Sequence, residues 1–196
     1  VELDLTPNRM DLMSVLGVAY EVSALYDVPL TLPDISIQES AKGHDFTTAI
    51  DTDQCDAYYG RVIEGVEVKE SPEWLKNRLI ASGIRPINTI VDVTNYVMMD
   101  VGQPLHAFDA DTIPSKTIRV KAAEADDTFT TLDGQTRVLK RGDILITDGQ
   151  IPIALGGVMG GLDSEVTETT TTVFLESALF NSTRIGQTSR RLDLRS

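Results

Sequence analysis

Beyond Gly102 the apolar residues stop recurring every three or four positions and begin to alternate, and this change of period constrains the chain more than any single motif. Thr117-Ile118-Arg119-Val120, Phe129-Thr130-Thr131-Leu132, Thr136-Arg137-Val138-Leu139, Ile144-Leu145-Ile146 and Ile151-Pro152-Ile153-Ala154-Leu155 read as short strands. Asp133-Gly134 and Asp148-Gly149 are tight-turn dipeptides suited to joining some of them as hairpins. The threonine-rich run from Thr167 feeds a further strand at Val173-Phe174-Leu175. Before Gly102 the pattern is mainly helical. From Asp11, a capping residue type, Leu12, Val15, Leu16, Ala19, Val22 and Leu25 mark an amphipathic helix that ends near Tyr26-Asp27, because Pro29 and Pro33 forbid continuation. The segment to about Gly43 reads as a linker. Tyr58-Tyr59-Gly60-Arg61-Val62-Ile63 and Val66-Glu67-Val68 are strand-like. Ser71-Pro72-Glu73 opens a second helix with a capping hydroxyl, a proline for the first helical position and an acid near the positive end, and Gly83 stops it. A third helix is expected over 88–99, ended by Gly102. Helices followed by strands in this proportion give an α+β fold.

Charge and composition narrow the function. Seventeen Lys and Arg against 30 Asp and Glu leave a net charge of −13, which repels phosphate and anionic lipid and argues against a DNA-coating or membrane-surface role. The single cysteine, Cys55, has no partner for an internal disulfide, and with two histidines it supplies too few soft ligands for structural zinc. No apolar run approaches the roughly 20 residues of a membrane span. The opening Val1-Glu2-Leu3-Asp4 has neither a basic start nor an initiator methionine, so the expectation is a piece of a longer cytoplasmic chain.

Four constellations carry polar chemistry among apolar neighbours, and each has a structural explanation beside the functional one. Thr94-Asn95 lies on the expected third helix, where such residues satisfy backbone groups as readily as they contact a ligand. His106, between Gly102-Gln103-Pro104-Leu105 and Ala107-Phe108, reads as an imidazole presented by a loop, either hydrogen-bonded in place or acting as a base. Gly156-Gly157-Val158-Met159-Gly160-Gly161 follows an apolar strand where backbone must approach something closely, but it has neither GxGxxG spacing nor a lysine, which argues against a mononucleotide phosphate loop. Glu176 follows Val173-Phe174-Leu175, so a carboxylate sits among residues that want burial and needs a partner, structural or ligand. No Ser/His/Asp spacing, HExxH or paired metal-binding carboxylates are present.

At Arg85-Pro86, Val91-Asp92-Val93-Thr94-Asn95-Tyr96-Val97-Met98 and Gly102-Gln103-Pro104-Leu105-His106-Ala107-Phe108-Asp109 the sequence closely resembles the beta chain of bacterial phenylalanyl-tRNA synthetases. Leu5-Thr6-Pro7-Asn8-Arg9, Ser14-Val15-Leu16-Gly17, Ala154-Leu155-Gly156-Gly157-Val158-Met159-Gly160-Gly161 and Leu175-Glu176-Ser177-Ala178 echo the same family, in order along nearly the whole chain. The resemblance implies that residues 1–40 are the helix and linker ending a preceding module. Residues 41–196 would then be an editing domain fused from the third and fourth modules, with a large mixed β-core and flanking helices. It implies hydrolysis of tyrosine wrongly attached to the phenylalanine tRNA. Thr94, Asn95 and His106 would position water and the terminal adenosine, while Glu176, Gly157 and Gly160 bind the substrate. Ser196 stands where related chains often place a threonine lining the pocket.

The physics of that task suits the residues. A synthetic site shaped for an apolar ring rejects an added hydroxyl by only about 10², so tyrosine errors need a second site that prefers the hydroxyl. Glu176 can accept a bond from the tyrosine phenol, whereas phenylalanine leaves a desolvated carboxylate unpaired at roughly 1–3 kcal/mol. The implied partners are the aminoacylated end of tRNA(Phe) and an alpha chain in an α2β2 parent enzyme. No cofactor is expected in this domain, and ATP and Mg serve the parent synthetase. Cys55 is expected to be a bystander. Because a domain at −13 cannot neutralise phosphates, the rest of the parent enzyme is expected to hold the tRNA. Arg184, Arg190, Arg191 and Arg195 are the candidates for any local basic patch. The alternatives are a non-catalytic tRNA- or subunit-packing module and an amino-acid sensor.

Overall fold

A computed structural model describes residues 3–194 of the chain. By packing, the chain forms two compact units, one of Val1–Gly43 with Glu70–Leu105 and another of His44–Lys69 with His106–Ser196.

The first unit is helical. A single 3-10 turn at Met10–Met13 precedes α1 (Val15–Tyr26). The cap is Ser14 rather than Asp11: the Ser14 hydroxyl accepts from the Gly17 N–H at 3.1 Å, while Asp11 is engaged by Arg9 at 2.8 Å. Asp27, in the left-handed region, closes α1 where the prolines predict. The second helix, α2 (Glu73–Ala81), buries Leu75 and Leu79, and α3 (Thr89–Val101) runs from Asn88 to Gly102. The Asn88 side chain accepts from the N–H groups of Ile90 and Val91, and Gly102 at φ +83° ends the helix. Ser71 is not the cap of α2. Its hydroxyl donates instead to Asp92 at 2.6 Å, and the other oxygen of Asp92 accepts the Ile87 N–H at 2.8 Å. This buried aspartate fixes the entry to α3 against the entry to α2.

The second unit is a pair of packed sheets. Its elements are β1 (Thr47–Asp51), β2 (Cys55–Glu64), β3 (Leu105–Asp109), β4 (Thr117–Ala122), β5 (Thr128–Thr130), β6 (Thr136–Val138), β7 (Ile144–Thr147), β8 (Pro152–Leu155), β9 (Met159–Gly160), β10 (Thr172–Phe180) and α4 (Ser182–Leu192). One sheet has the order β1-β4-β7-β8-β9, with β1 and β4 parallel and the other pairs antiparallel. The second has the order β2-β10-β3, and β5 with β6 forms a separate hairpin. Tyr58, Phe108 and Phe174 from the three-stranded sheet meet Ile118, Val120, Ile144, Ile146 and Ala154 from the five-stranded one in a single buried cluster. On the other face of the larger sheet Leu145 and Leu155 pack with Phe129, Leu139, Val158 and Leu194, and with Ile185 and Leu192 of α4. The fold is therefore α+β with a mixed β-core and flanking helices, and an N-terminal helix is present. Asp133-Gly134 and Asp148-Gly149 make the β5-β6 and β7-β8 turns as their dipeptides predict.

Val66-Glu67-Val68 forms no strand. Four elements go unannounced by the sequence pattern. β1, β3 and β9 are stabilised by partners distant in sequence, and α4 is so polar, with Ile185 and Leu192 as its apolar contacts, that the apolar period does not reveal it.

Candidate functional site

Glu176 sits in the middle of β10, on the side chain alternation that also turns Phe174, Ala178 and Phe180 toward the inter-sheet cluster. It is 7% exposed. Opposite it in register is Gly60, and the next pair on the same face, two residues along, is Ala178 with Tyr58. A Cβ on Gly60 would stand 2.1 Å from Phe174 Cζ, so the phenylalanine ring lies over a bare backbone directly beside the glutamate. The Tyr58 hydroxyl donates to Glu176 Oε2 at 2.6 Å. Among the described residues this is the one hydrogen bond to the carboxylate, and no buried side-chain oxygen or nitrogen there lacks a partner, so the second oxygen remains within reach of solvent. Burial outweighs the opposing bond from Tyr58 and leaves the Glu176 carboxyl raised to about 7. The same burial, with the glutamate charge, raises the Tyr58 phenol far above its usual value, and burial likewise raises the Cys55 thiol.

His106 stands in β3, not in a loop. The Gly102 to Pro104 punctuation suggests an irregular segment, but pairing with β10 extends the backbone from Leu105 onward. The half-buried imidazole meets the Phe108 ring edge-on at 4.5 Å, and Phe108 in turn lies 6.5 Å from Phe174, which places His106 and Glu176 on the same face of the three-stranded sheet. Desolvation lowers the imidazole to about 4, so it is neutral at physiological pH and can both accept and donate a hydrogen bond.

The glycine loop makes room for this unit's own side chains. A Cβ at Gly160 would stand 2.9 Å from His106 Cε1 and 3.1 Å from Nε2, so the imidazole occupies the place a side chain would take. At Gly157, where φ is +66°, a Cβ would meet Ile185 at 2.8 Å and Phe180 at 3.0 Å. The structure thus brings His106 and Gly160 together and ties Gly157 to the end of β10.

Thr94 and Asn95 belong to the helical unit. Thr94 is buried and its hydroxyl donates to the Val91 carbonyl at 2.8 Å, the backbone role open to it from sequence, and Asn95 is half-buried. Ser196 and Arg195 lie outside the described residues. Cys55 is buried, with its thiol donating to the Ala57 carbonyl at 3.3 Å. Among the described residues no three His, Cys, Asp or Glu side chains gather in a way that could hold a metal ion, and no helix is long and apolar enough to cross a membrane. Arg191 is paired with Asp143 rather than offered to a phosphate. A surface hollow of about 490 Å³ in the same unit is lined by Ser115, Thr117, Arg119 and the Asp148–Ile151 turn, and includes none of the candidate residues. Tyr58 escapes the sequence reading. Alternation on β2 distinguishes it, buried, from exposed Tyr59, but its partner lies 118 residues away.

Two packed sheets with a semi-satisfied carboxylate on their inner face define a class of domain rather than an enzyme by themselves. Residues 54–196 match the B3/4 domain model, and the chain belongs to that family. Along its whole length it is 50% identical to the phenylalanine–tRNA ligase beta subunit of Shouchella clausii, 50% to that of Staphylococcus saprophyticus and 47% to that of Lactococcus lactis, covering 25% of each. The chain thus spans about a quarter of the length of these relatives. An N-terminal fragment of the phenylalanyl-tRNA synthetase beta-subunit from Pyrococcus horikoshii shares the fold alone, at 18% identity and a TM-score of 0.53 over 91% of this chain and 55% of that one.

Proposed function

We propose that the chain is a segment of a phenylalanine–tRNA ligase beta subunit, and that it edits by hydrolysing tyrosyl-tRNA(Phe). The observation that carries the reading is Glu176: a buried carboxylate with one oxygen held by a phenol and the other open to a second donor. Water adds to the ester carbonyl, the bond to the ribose oxygen breaks, and that oxygen takes a proton, releasing tyrosine and intact tRNA. Neutral His106 positions the water, Gly160 gives the imidazole its place, and Gly157, in the same unit, contributes to the substrate contacts. The ester needs no metal or cofactor for this step, and ATP and Mg serve the synthetic reaction of the parent. The tRNA is held by the rest of an α2β2 enzyme in the cytoplasm, since this segment repels it at −13.

The test is deacylation of tyrosyl- and phenylalanyl-tRNA by the full synthetase. Glu176→Ala is expected to slow the first, weaken protection of the second and reduce their ratio by tenfold or more, about the loss of one charge-assisted hydrogen bond. An unchanged ratio overturns the recognition role. The Tyr58–Glu176 bond itself favours one rival, a non-catalytic packing module in which Glu176 is purely structural. That rival predicts a lower melting temperature with no change in the ratio.

A further inference from the structure

Resting on the editing reading above, we propose that Tyr58 is a positioning residue: its hydroxyl fixes one oxygen of Glu176 so that the other is presented to the phenol of the substrate. A glutamate on a strand can rotate freely about its outer bonds, and a single anchoring donor removes that freedom. Tyr58 is well placed to be that anchor. It is diagonal to Glu176 in the β2-β10 register, 8% exposed, and donates at 2.6 Å. It is neutral, so it takes up one oxygen without discharging the carboxylate as an arginine or lysine would. Its own phenol is held protonated by burial and by the glutamate charge, so the direction of donation is fixed.

The second consequence is electrostatic. Burial drives Glu176 toward its protonated form, and the Tyr58 bond is the influence that opposes it. A protonated carboxyl is a poor acceptor for a phenol and pays little penalty against phenylalanine, so discrimination depends on the charge that Tyr58 preserves. Among the described residues, the other titratable groups at this cluster are Cys55 from β2, His106 from β3 and Lys116 ahead of β4, whose ammonium lies 4.9 Å from the Phe46 ring and donates to the Ala110 carbonyl, while the opposing sheet contributes Ile118, Val120, Ile144, Ile146 and Ala154. His106 titrates near 4 and Cys55 is raised above its usual value, so a transition near neutral pH reports Glu176.

The experiment measures the ratio of tyrosyl- to phenylalanyl-tRNA deacylation by the full synthetase from pH 5.5 to 9, a ratio in which base-catalysed hydrolysis common to both esters cancels. In the native enzyme the ratio should rise with pH as Glu176 ionises. Tyr58→Phe keeps the ring and removes the donor. It should move that rise upward by about one pH unit and lower the ratio at pH 7 by about tenfold, the scale of one lost hydrogen bond to a charge. Glu176→Gln should flatten the profile, and adding Tyr58→Phe to it should change the ratio no further. Should Tyr58→Phe fail to fold, 3-fluorotyrosine at position 58, a stronger donor of nearly the same shape, should move the rise downward. Equal slowing of both substrates with an unmoved profile makes Tyr58 merely structural and overturns the proposal. A higher ratio in Tyr58→Phe also overturns it, because Tyr58 would then compete with the substrate for Glu176. If Glu176→Gln leaves the native profile intact, the editing reading of Glu176 fails, and Tyr58 with it.

Discussion

Asp143 and Glu176 are buried carboxylates of the same unit, and their surroundings differ in kind. Asp143, between β6 and β7, is 3% exposed and fully engaged: one oxygen accepts from Thr188 at 2.6 Å, the other from the Lys140 N–H at 2.8 Å and from the Arg191 guanidinium. It ties a turn of the sheet to α4 and has nothing left to offer. Asp109 is similar, accepting from Thr170 at 2.5 Å and from the Asp111 N–H at 3.0 Å. Among the described residues, Glu176 has one neutral donor and no cation. A carboxylate that serves only architecture ends up saturated, because an unsaturated one costs stability. The unsaturated one is the acid on which the editing proposal rests.

The largest effect should come from removing the saturated acid. Asp143→Ala strands Thr188, the Lys140 N–H and a partly solvated Arg191, and should cost about 2–4 kcal/mol in urea unfolding. Glu176→Gln should do the opposite at high pH. Its folded pKa, about 7 against an ordinary 4.5, means the native state binds the proton more tightly. The contribution of Glu176 to stability is thus full below pH 4.5 and falls away as pH rises through 7. The native chain should lose roughly 1–3 kcal/mol between pH 4.5 and 8 that Glu176→Gln retains, measured by urea midpoints at the two pH values. A loss at pH 8 as large as that of Asp143→Ala would erase the contrast between the two sites.

Gly160→Ala should be milder, at about 1–2 kcal/mol, since the methyl forces the His106 ring aside. The same variant should let water reach the imidazole, and NMR titration should show His106 moving from about 4 back toward 6.5. In the native chain the lowered value means that His106 supports stability above 6.5 and that this support is lost as pH falls through 4. The smallest effect belongs to Asp51→Ala, which breaks an ion pair with Arg119 at 3.2 Å in which both side chains are nearly half exposed. It should change stability by less than about 0.5 kcal/mol.

What the sequence announces here is local. Asn88 and Gly102 bound α3, and the two Asp-Gly dipeptides turn their hairpins, because each signal acts within a few residues of itself. Glu176 is conspicuous for the same reason, a charge inside an apolar run. Ser71 misleads because a hydroxyl suited to capping found a better acceptor in Asp92, 21 residues on. His106 looks like a loop residue because nothing near it in the chain shows that β10 will pair alongside. The bond from Tyr58 to Glu176 is invisible for a related reason: a tyrosine on a strand is ordinary until its neighbour is known.

That separation also sets an order of events in folding. β2 and β10 zip together along the whole of β10, from Thr172 opposite Glu64 to Phe180 opposite Cys55. The hairpins β5-β6 and β7-β8 close over a few residues, whereas Tyr58 must wait for a strand 118 residues later. During synthesis the phenol is made early and stays in water with an unpaired strand edge until the last part of the sheet emerges. The carboxylate becomes buried, and acquires its raised affinity for protons, only at that final pairing. The buried carboxylate and its phenol donor are therefore absent from every partly folded form that lacks β10, so an incomplete chain has local hairpins without this inter-strand pair.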